Sequence, residues 1–543
     1  MIEKIKKLPL ITQRSHTVKA VKPIAVATPK VNKFKPLVLL IVLVLSLTTL
    51  VTTFRGRPGT EGRLLSYQTQ DDWVTIVTGP FESSNTNSRY ALVDAIVNKG
   101  SFNLTLQQAG FAVPDAVYVN ERFASIFMPG VSLIAAPFYY IGQNVGLAQV
   151  FTISSTILFA IINAVLIYTL AKKFGMNTFS ASLGSLLFLF GTNALPYANT
   201  LTQHHASTAT ILSALLLAGN KPGIIRNLLF GSVLGASLLF DIPNVFLLLP
   251  ITLSIVGQHF FTSQENTKTI LSINIKIIAL AIGCMPLLAL FFFYNQMTFG
   301  SPFTYGQMFS RTDYFDDEVK KEARRERHEN VDAYEDKLPL GTRQQLQSTY
   351  ILLLSDERSW LFYSPIVLVG ILGLIAALKQ DKNTYLKNAA ILCAGTVLMN
   401  IVVYSMFGDP WGGWSFGPRY LIPSAGLLSL LAAYAFETWK SNKLFVTAFL
   451  TIALYSTSIS TLGAVTTLSI LPKVEADQLI NRIPHTYKYN IELLNQGKNS
   501  SLVFNAWAHN FVTSYRFWIL VSSISGASVL LVAFGSMAER KAT

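Results

Sequence analysis

The chain has 543 residues, of which 51% are hydrophobic and only 13% charged, and its mean hydropathy is +0.42. A soluble protein carries about a quarter of its residues as Asp, Glu, Lys and Arg, so a string of soluble domains is excluded. The formal charge of +14 would suit a nucleic-acid partner, but nine Lys or Arg residues crowd into the first 35 and most of the others flank apolar runs. The charge is therefore topology information, and no nucleic acid is implied.

The apolar runs are long enough to cross a hydrocarbon core of about 30 Å, and they lack the alternation of barrel strands. The expected fold is an all-α polytopic membrane protein. In chain order, residues 1–35 form a basic tail. The first run, 36–54, is read as a retained span, because Arg-Gly-Arg follows where a cleaved signal peptide would show small residues. Further spans are expected at roughly 148–171, 178–197, 206–219, 227–241, 243–258, 276–294, 360–378, 388–406, 420–436, 444–468 and 514–535, about twelve in all. Cys284 and Cys393 both fall inside apolar runs and read as packed thiols.

With the tail placed in the cytoplasm, the inward connections carry Lys172 and Lys173, Lys221 and Arg226, Lys268, then Lys379, Lys382 and Lys387, then Lys440 and Lys443. Each is basic, as the positive-inside rule requires, and Arg540 and Lys541 put the C-terminus inside as well. The expected location is the cytoplasmic membrane, with both termini inside. Polar residues then gather on the opposite, extracytoplasmic side.

The outward segments are 55–147, 198–205, the turn near Asp241–Asn244, 295–359, 407–419 and 469–513. Long connections of this kind are usually functional. The expected layout is a loop at 55–147 with juxtamembrane helices, spans over 148–294, a loop at 295–359, spans over 360–468 that include the 407–419 motif loop, a loop at 469–513, and a last span and cytoplasmic end over 514–543. Within the first loop, Ser88 can cap a surface helix whose apolar face is Leu92, Ala95 and Ile96 and whose end is Gly100. Pro129-Gly130 opens Val131–Tyr140, too short to span and expected at the interface. Residues 316–337 read as a charged surface helix, with Asp316/Lys320 and Asp317/Lys321 at i,i+4 spacing.

The spans are nearly free of ionisable groups; Asp241 falls at an outward helix end beside Pro243 and Arg516 at the start of the last span. A proton- or sodium-coupled transporter needs carboxylates near the midplane, so coupled transport is excluded, while a lipid flippase with an uncharged groove is not.

The densest motif is Gly408-Asp409-Pro410-Trp411-Gly412-Gly413-Trp414-Ser415-Phe416-Gly417-Pro418-Arg419-Tyr420. Its glycines let backbone approach a ligand, Trp411 and Trp414 offer flat faces to a sugar or a polyprenyl chain, and Arg419 is a fork suited to phosphate. Nearby stand Gln203-His204-His205, the run Tyr294-Asn295 to Phe299-Gly300-Ser301-Pro302 with Tyr305-Gly306-Gln307 beyond, and Glu357-Arg358-Ser359-Trp360 ahead of Tyr363-Ser364-Pro365. His204 and His205 lack a further His or Cys at zinc spacing.

These elements, in this order from about residue 85 to 435, resemble the GT-C glycosyltransferases, in particular the polyprenyl-phosphate-sugar-dependent type related to protein mannosyltransferases. The similar pieces include Ser88-Arg89-Tyr90-Ala91-Leu92 through Gly100-Ser101-Phe102, Asp115 through Pro129-Gly130-Val131-Ser132, and above all Trp411 to Leu421. The resemblance implies a GT-C-like bundle, a polyprenyl-phosphate-linked sugar donor, a glycan, lipid or protein acceptor, surrounding membrane lipids, an extracytoplasmic site and inversion at the anomeric carbon. It also implies a base Asp near Thr86 or Asn87, where this sequence has none, and a basic residue near Met128, likewise absent.

The chemistry asks for a carboxylate to take the acceptor proton and for cations to hold the departing lipid phosphate. Among Asp71, Asp72, Glu82, Asp94, Asp115 and Glu121, the resemblance implies Asp115 as the base, since it fits the family's second element ahead of Pro129-Gly130, with Asp72 next; Asp94 reads as the polar face of its helix. Arg419 and Arg358 are the expected phosphate contacts, followed by Arg89, and Trp411, Trp414, His204, His205 and Tyr305 complete the expected substrate site, with Arg311 and Arg343 behind. Relatives of this type differ on metal, so no cofactor is assigned and a divalent cation stays open. The alternative reading is a lipid-linked glycan flippase or carrier, or a GT-C relative without activity.

Overall fold

A computed structural model describes residues 34–59, 78–263, 269–271, 275–309, 343–380, 383–407, 409–479 and 482–539. The basic tail before residue 34, Asp71, Asp72, Arg311, the 316–337 segment and Gly408 lie outside the described residues. Among the described residues the architecture is helical, with two short antiparallel strand pairs, Ala116–Val119 with Arg122–Ser125, a hairpin, and Phe261–Ser263 with Thr269–Leu271.

All twelve expected spans fall on helices. Seven are long and apolar enough to cross a membrane: Lys35–Thr52, Ala148–Lys173, Ile275–Phe299, Thr384–Ser405, Arg419–Trp439, Lys443–Val465 and Ser514–Glu539. Three more, Thr178–Gly191, Ile224–Phe240 and Pro365–Leu378, are apolar but shorter. The last two fall on His204–Ala218 and on the broken pair Asn244–Leu247 and Leu249–Phe260.

With little hydrophobic drive between helices in lipid, close approach is set by small residues. Ile224–Phe240 and Ile278–Phe299 meet through Gly231 and Gly283, where a Cβ would stand 2.0 Å from the Leu280 carbonyl oxygen and 2.1 Å from that of Leu228. Exposed large side chains such as Leu40, Val165, Leu229, Met285 and Leu398 lie on the apolar helices.

The two ends of the bundle differ. At one end basic side chains of the short connections find polar partners: Lys35 Nζ pairs with Glu539 at 2.5 Å, Lys440 Nζ with Glu437 at 2.9 Å, Lys173 Nζ donates to Asn220 Oδ1 at 2.9 Å, and Arg226 donates to Gln258 Oε1 at 2.6 Å. The other end is rich in loops and carries the motifs.

The helix expected to start at Ser88 begins earlier, at Ser84, and ends at Lys99 with Gly100 left-handed at φ +59°. It is not a surface helix. Asn85 to Val93 are all buried, because Leu106–Ala112, the first hairpin and Gly130–Asn144 close over it. Its Asp94 is an internal tie and not a solvated face: Tyr139 OH donates to Oδ1 at 2.5 Å and Gln108 Nε2 to Oδ2 at 2.5 Å. The hairpin turns on Asn120 and Glu121, both at positive φ, a two-residue turn whose twist suits paired strands. Glu121 is thus at an exposed tip.

Candidate active site

The motif loop is held from behind by backbone acceptors. Arg358 is fully buried and donates to three carbonyls: Glu357 from Nη1 at 2.7 Å, Ile470 from Nη2 at 2.6 Å and Trp411 from Nε at 3.3 Å. Ser415 adds its amide to the Ile470 carbonyl at 3.1 Å and its hydroxyl to Trp411 O at 2.7 Å. Asn193 Nδ2 donates to Phe416 O at 2.9 Å, and Phe416 N donates to Tyr197 OH at 3.1 Å. Gly412, Gly413 and Gly417 all have positive φ, and a Cβ on Gly417 would stand 2.2 Å from Asn193 Nδ2. The turn therefore needs glycine for conformation and for space.

The two indoles are pinned by their polar edges. Trp411 Nε1 donates to Glu357 Oε2 at 2.9 Å, and Trp414 Nε1 to Glu475 Oε2 at 2.7 Å. Two hydrogen bonds thus fix the platforms. Arg419 lies against Gly412 and over the Tyr420 ring, its guanidinium carbon 5.4 Å from the centroid. Tyr420 stacks on Tyr404 with centroids 4.3 Å apart and planes 10° off parallel.

Across from this loop stands the Ser84–Lys99 helix. Its Arg89 is buried, donates from Nη2 to Gln203 Oε1 at 2.8 Å and from Nη1 to Asn85, and covers the Phe127 ring at 4.0 Å. Burial lowers the Arg89 pKa to about 9, opposed by the Asp241 and Asp115 carboxylates, so the group stays charged at neutral pH. Asp115 is 4% exposed. Ser84 Oγ donates to its Oδ2 at 2.7 Å and Ser88 Oγ to its carbonyl at 2.7 Å, while that carbonyl also accepts from Ile126 N across the hairpin mouth at 3.4 Å. The hairpin register thereby sets where Asp115 stands.

His204 and His205 begin one helix and serve differently. His205 spends both ring nitrogens, Nε2 on the Ala194 carbonyl at 2.8 Å and Nδ1 with Asn163 Nδ2 at 3.3 Å. His204 sits between the Tyr197 and Tyr420 rings, edge-on at 5.4 and 6.4 Å, within electrostatic range of Arg419 and Arg89. Among the described residues, His204 Nε2, Arg89 Nε and Arg419 Nε are buried without a hydrogen-bond partner. Buried donors are rarely left so, and each asks for a ligand, a water or an ion. Three around one place form the candidate anion site.

The other candidates fall into place around it. Tyr305 packs against the Met128, Leu239 and Phe291 cluster, with Gly306 pressed to the Ile126 backbone; it is a wall of the first-loop lobe. Arg343 opens a helix, Arg343–Leu353, at the same end. Glu82 is absorbed by structure, paired with Arg55 and accepting from Thr78 N at 2.9 Å, Thr467 Oγ1 at 2.7 Å and Leu468 N at 2.6 Å. At the position where the resemblance asks for an acid, Thr86 and Asn87 are 1% exposed. No three His, Cys, Asp or Glu side chains gather as a metal set among the described residues.

Sequence reasoning named Gln203, Tyr420 and Asp241 without giving them a role, and left out Tyr404 and Tyr197. Only Asp241 left a signal, as an acid closing a span otherwise free of charge. The tyrosines look like ordinary interfacial aromatics in a sequence.

No family model and no curated protein matches the chain. Among solved structures, it is similar to ArnT from Cupriavidus metallidurans, in the apo state with 12% identity over 93% of this chain and 78% of that one, at a TM-score of 0.45. The same protein bound to undecaprenyl phosphate gives 13% identity over the same shares and a TM-score of 0.47. The oligosaccharyltransferase from Archaeoglobus fulgidus, tethered with an acceptor peptide, gives 11% identity over 91% of this chain and 55% of that one, at a TM-score of 0.38.

Proposed function

We propose that this chain is a GT-C-type membrane glycosyltransferase that moves a sugar from a polyprenyl-phosphate donor to an acceptor hydroxyl on a glycan, lipid or protein, at the extracytoplasmic face and with inversion. The observation that carries the reading is the trio of buried, unpartnered nitrogens on Arg89, His204 and Arg419. They lie beside the Tyr197, Tyr420 and Phe127 rings at the loop-rich end of an apolar bundle. Two guanidiniums in a site of low dielectric suit a phosphate.

In the reaction, Asp115 takes the proton from the acceptor hydroxyl as its oxygen forms the new bond to the anomeric carbon. The bond from that carbon to the lipid phosphate breaks on the opposite face, and the phosphate leaves with the electron pair. Arg419, with Arg89 and His204, holds the negative charge that develops there. Trp411 and Trp414 bear the sugar or the first isoprene units on their faces. Arg358, spent on three carbonyls, holds the loop in shape. Asp72 is the second candidate for the base.

A non-enzymatic flippase or carrier is the second reading, favoured by Thr86 and Asn87 standing where the resemblance asks for a carboxylate. Radiolabelled sugar transfer from polyprenyl-phosphate donors, by membranes holding wild type, Asp115→Asn or Arg419→Ala, separates the two. Transfer by wild type and its loss in both variants supports the enzyme. Absence of transfer with every common donor supports the carrier, and transfer unaffected by either substitution rejects the site.

A further inference from the structure

Two cationic arms approach the candidate anion site from different parts of the chain, Arg89 from the first loop and Arg419 from the motif loop. Among the described residues, neither is set by an ion pair of its own at hydrogen-bond distance. Each is instead held through an uncharged intermediary. Gln203 takes Arg89 Nη2 on its Oε1 at 2.8 Å and gives its Nε2 to Asp241 Oδ2 at 3.1 Å. The amide can satisfy both partners only in this orientation, since a guanidinium has no acceptor and a carboxylate no donor. On the other arm, Tyr404 OH donates to the same Asp241 Oδ2 at 3.4 Å. The Tyr404 ring stacks on Tyr420 at 4.3 Å, and Tyr420 lies under the Arg419 guanidinium.

Asp241 itself is 6% exposed and closes the Ile224–Phe240 helix, its amide bonded back to Ser237 O at 3.0 Å. Asn244, one turn on, is anchored to Ser207 Oγ and to Ser237 O, both at 2.9 Å. The carboxylate is therefore mounted on a rigid helix end, and one of its oxygens sets both arms.

We infer that Asp241 is a positioning residue for the donor phosphate: through Gln203 it aims Arg89, and through the Tyr404–Tyr420 stack it aims Arg419. The inference rests on the polyprenyl-phosphate reading above. Asp241 touches neither arginine at hydrogen-bond distance among the described residues; its effect passes through hydrogen bonds that an amide oxygen can also accept. Asn at this position keeps that acceptor, whereas Ala removes it.

The test is binding of a polyprenyl phosphate and of the matching unphosphorylated polyprenol to the full-length protein in detergent, for wild type, Asp241→Asn, Asp241→Ala and Gln203→Leu. Melting temperature and size-exclusion profile confirm which variants fold. Wild type should prefer the phosphorylated lipid. Asp241→Ala and Gln203→Leu should lose about 10-fold or more of that affinity, the scale at which outer-shell orienting residues act, with polyprenol binding unchanged. Asp241→Asn should recover most of the loss. Equal phosphate affinity in wild type, Asp241→Ala and Gln203→Leu would overturn the assignment, as would Asn and Ala behaving alike at Asp241. A general packing defect would weaken both lipids together, and that result also overturns it. Wild type that binds both lipids alike sinks the donor reading itself, an outcome distinct from the others.

Discussion

Arg358 and Arg89 are both buried at the loop-rich end, 0% and 1% exposed, yet the two regions use a guanidinium in opposite ways. Around Arg358 the acceptors are backbone carbonyls from residues 357, 411 and 470; the side chain stitches three distant segments and has no nitrogen left over. Around Arg89 the main partners are side chains, and Nε stays unpartnered among the described residues. Arg419, on the front of the loop that Arg358 holds from behind, is like Arg89 in this respect. Burial alone does not mark a binding arginine. Arg358 and Arg89 differ in how many of their nitrogens backbone carbonyls consume: all three for Arg358, one for Arg89.

That contrast can be broken by experiment. The largest effect is expected at Asp115. Asp115→Asn should cost about 10²–10⁴-fold in the initial rate of sugar transfer, the usual worth of a positioned base, while polyprenyl-phosphate binding persists. Arg419→Ala should lower kcat/KM by about 10²–10³-fold with an unchanged melting temperature in detergent. Arg358→Ala should do the reverse, since it removes three buried hydrogen bonds from a charged donor, each worth about 1.5–3 kcal/mol. Its signature is a lowered melting temperature and a poor yield of monodisperse protein. An Arg358→Ala protein that folds like wild type and fails only in transfer would erase the distinction between the two regions.

Smaller effects sharpen the account of the motif loop. Gly417→Ala places a Cβ against Asn193 and Tyr363 at a φ of +62°, and about 1–3 kcal/mol of stability should be lost, read as a melting shift. Trp411→Phe keeps a flat face but drops the bond to Glu357, so a loss near 1 kcal/mol is expected. Transfer by that variant should fall less than with Trp411→Ala.

Much of this fold was legible beforehand. The spans were, because a run of apolar residues declares itself locally. The breaker at Gly100 was read correctly as a helix end, but the start at Ser88 was not: the helix enters at Ser84 because neighbouring segments bury Asn85 to Arg89, and burial is not written in the helix's own pattern. The first hairpin went unseen because its four-residue strands are too short for a period to show. In the site, the motif loop stood out for its Gly, Trp and Arg content, while Gln203 and Tyr404 did not.

By itself, then, the sequence determined an apolar helical bundle, its basic end and the loop most worth examining. These follow from transfer free energies that add residue by residue along the chain. Only the tertiary structure decided which arginine spends its nitrogens on carbonyls, which histidine keeps a ring nitrogen open and which carboxylate accepts from both Gln203 and Tyr404. The Arg89–Gln203 bond spans 114 positions and the Gln203–Asp241 bond 38. A hydrogen bond depends on where two groups meet in space, and no local pattern records that meeting.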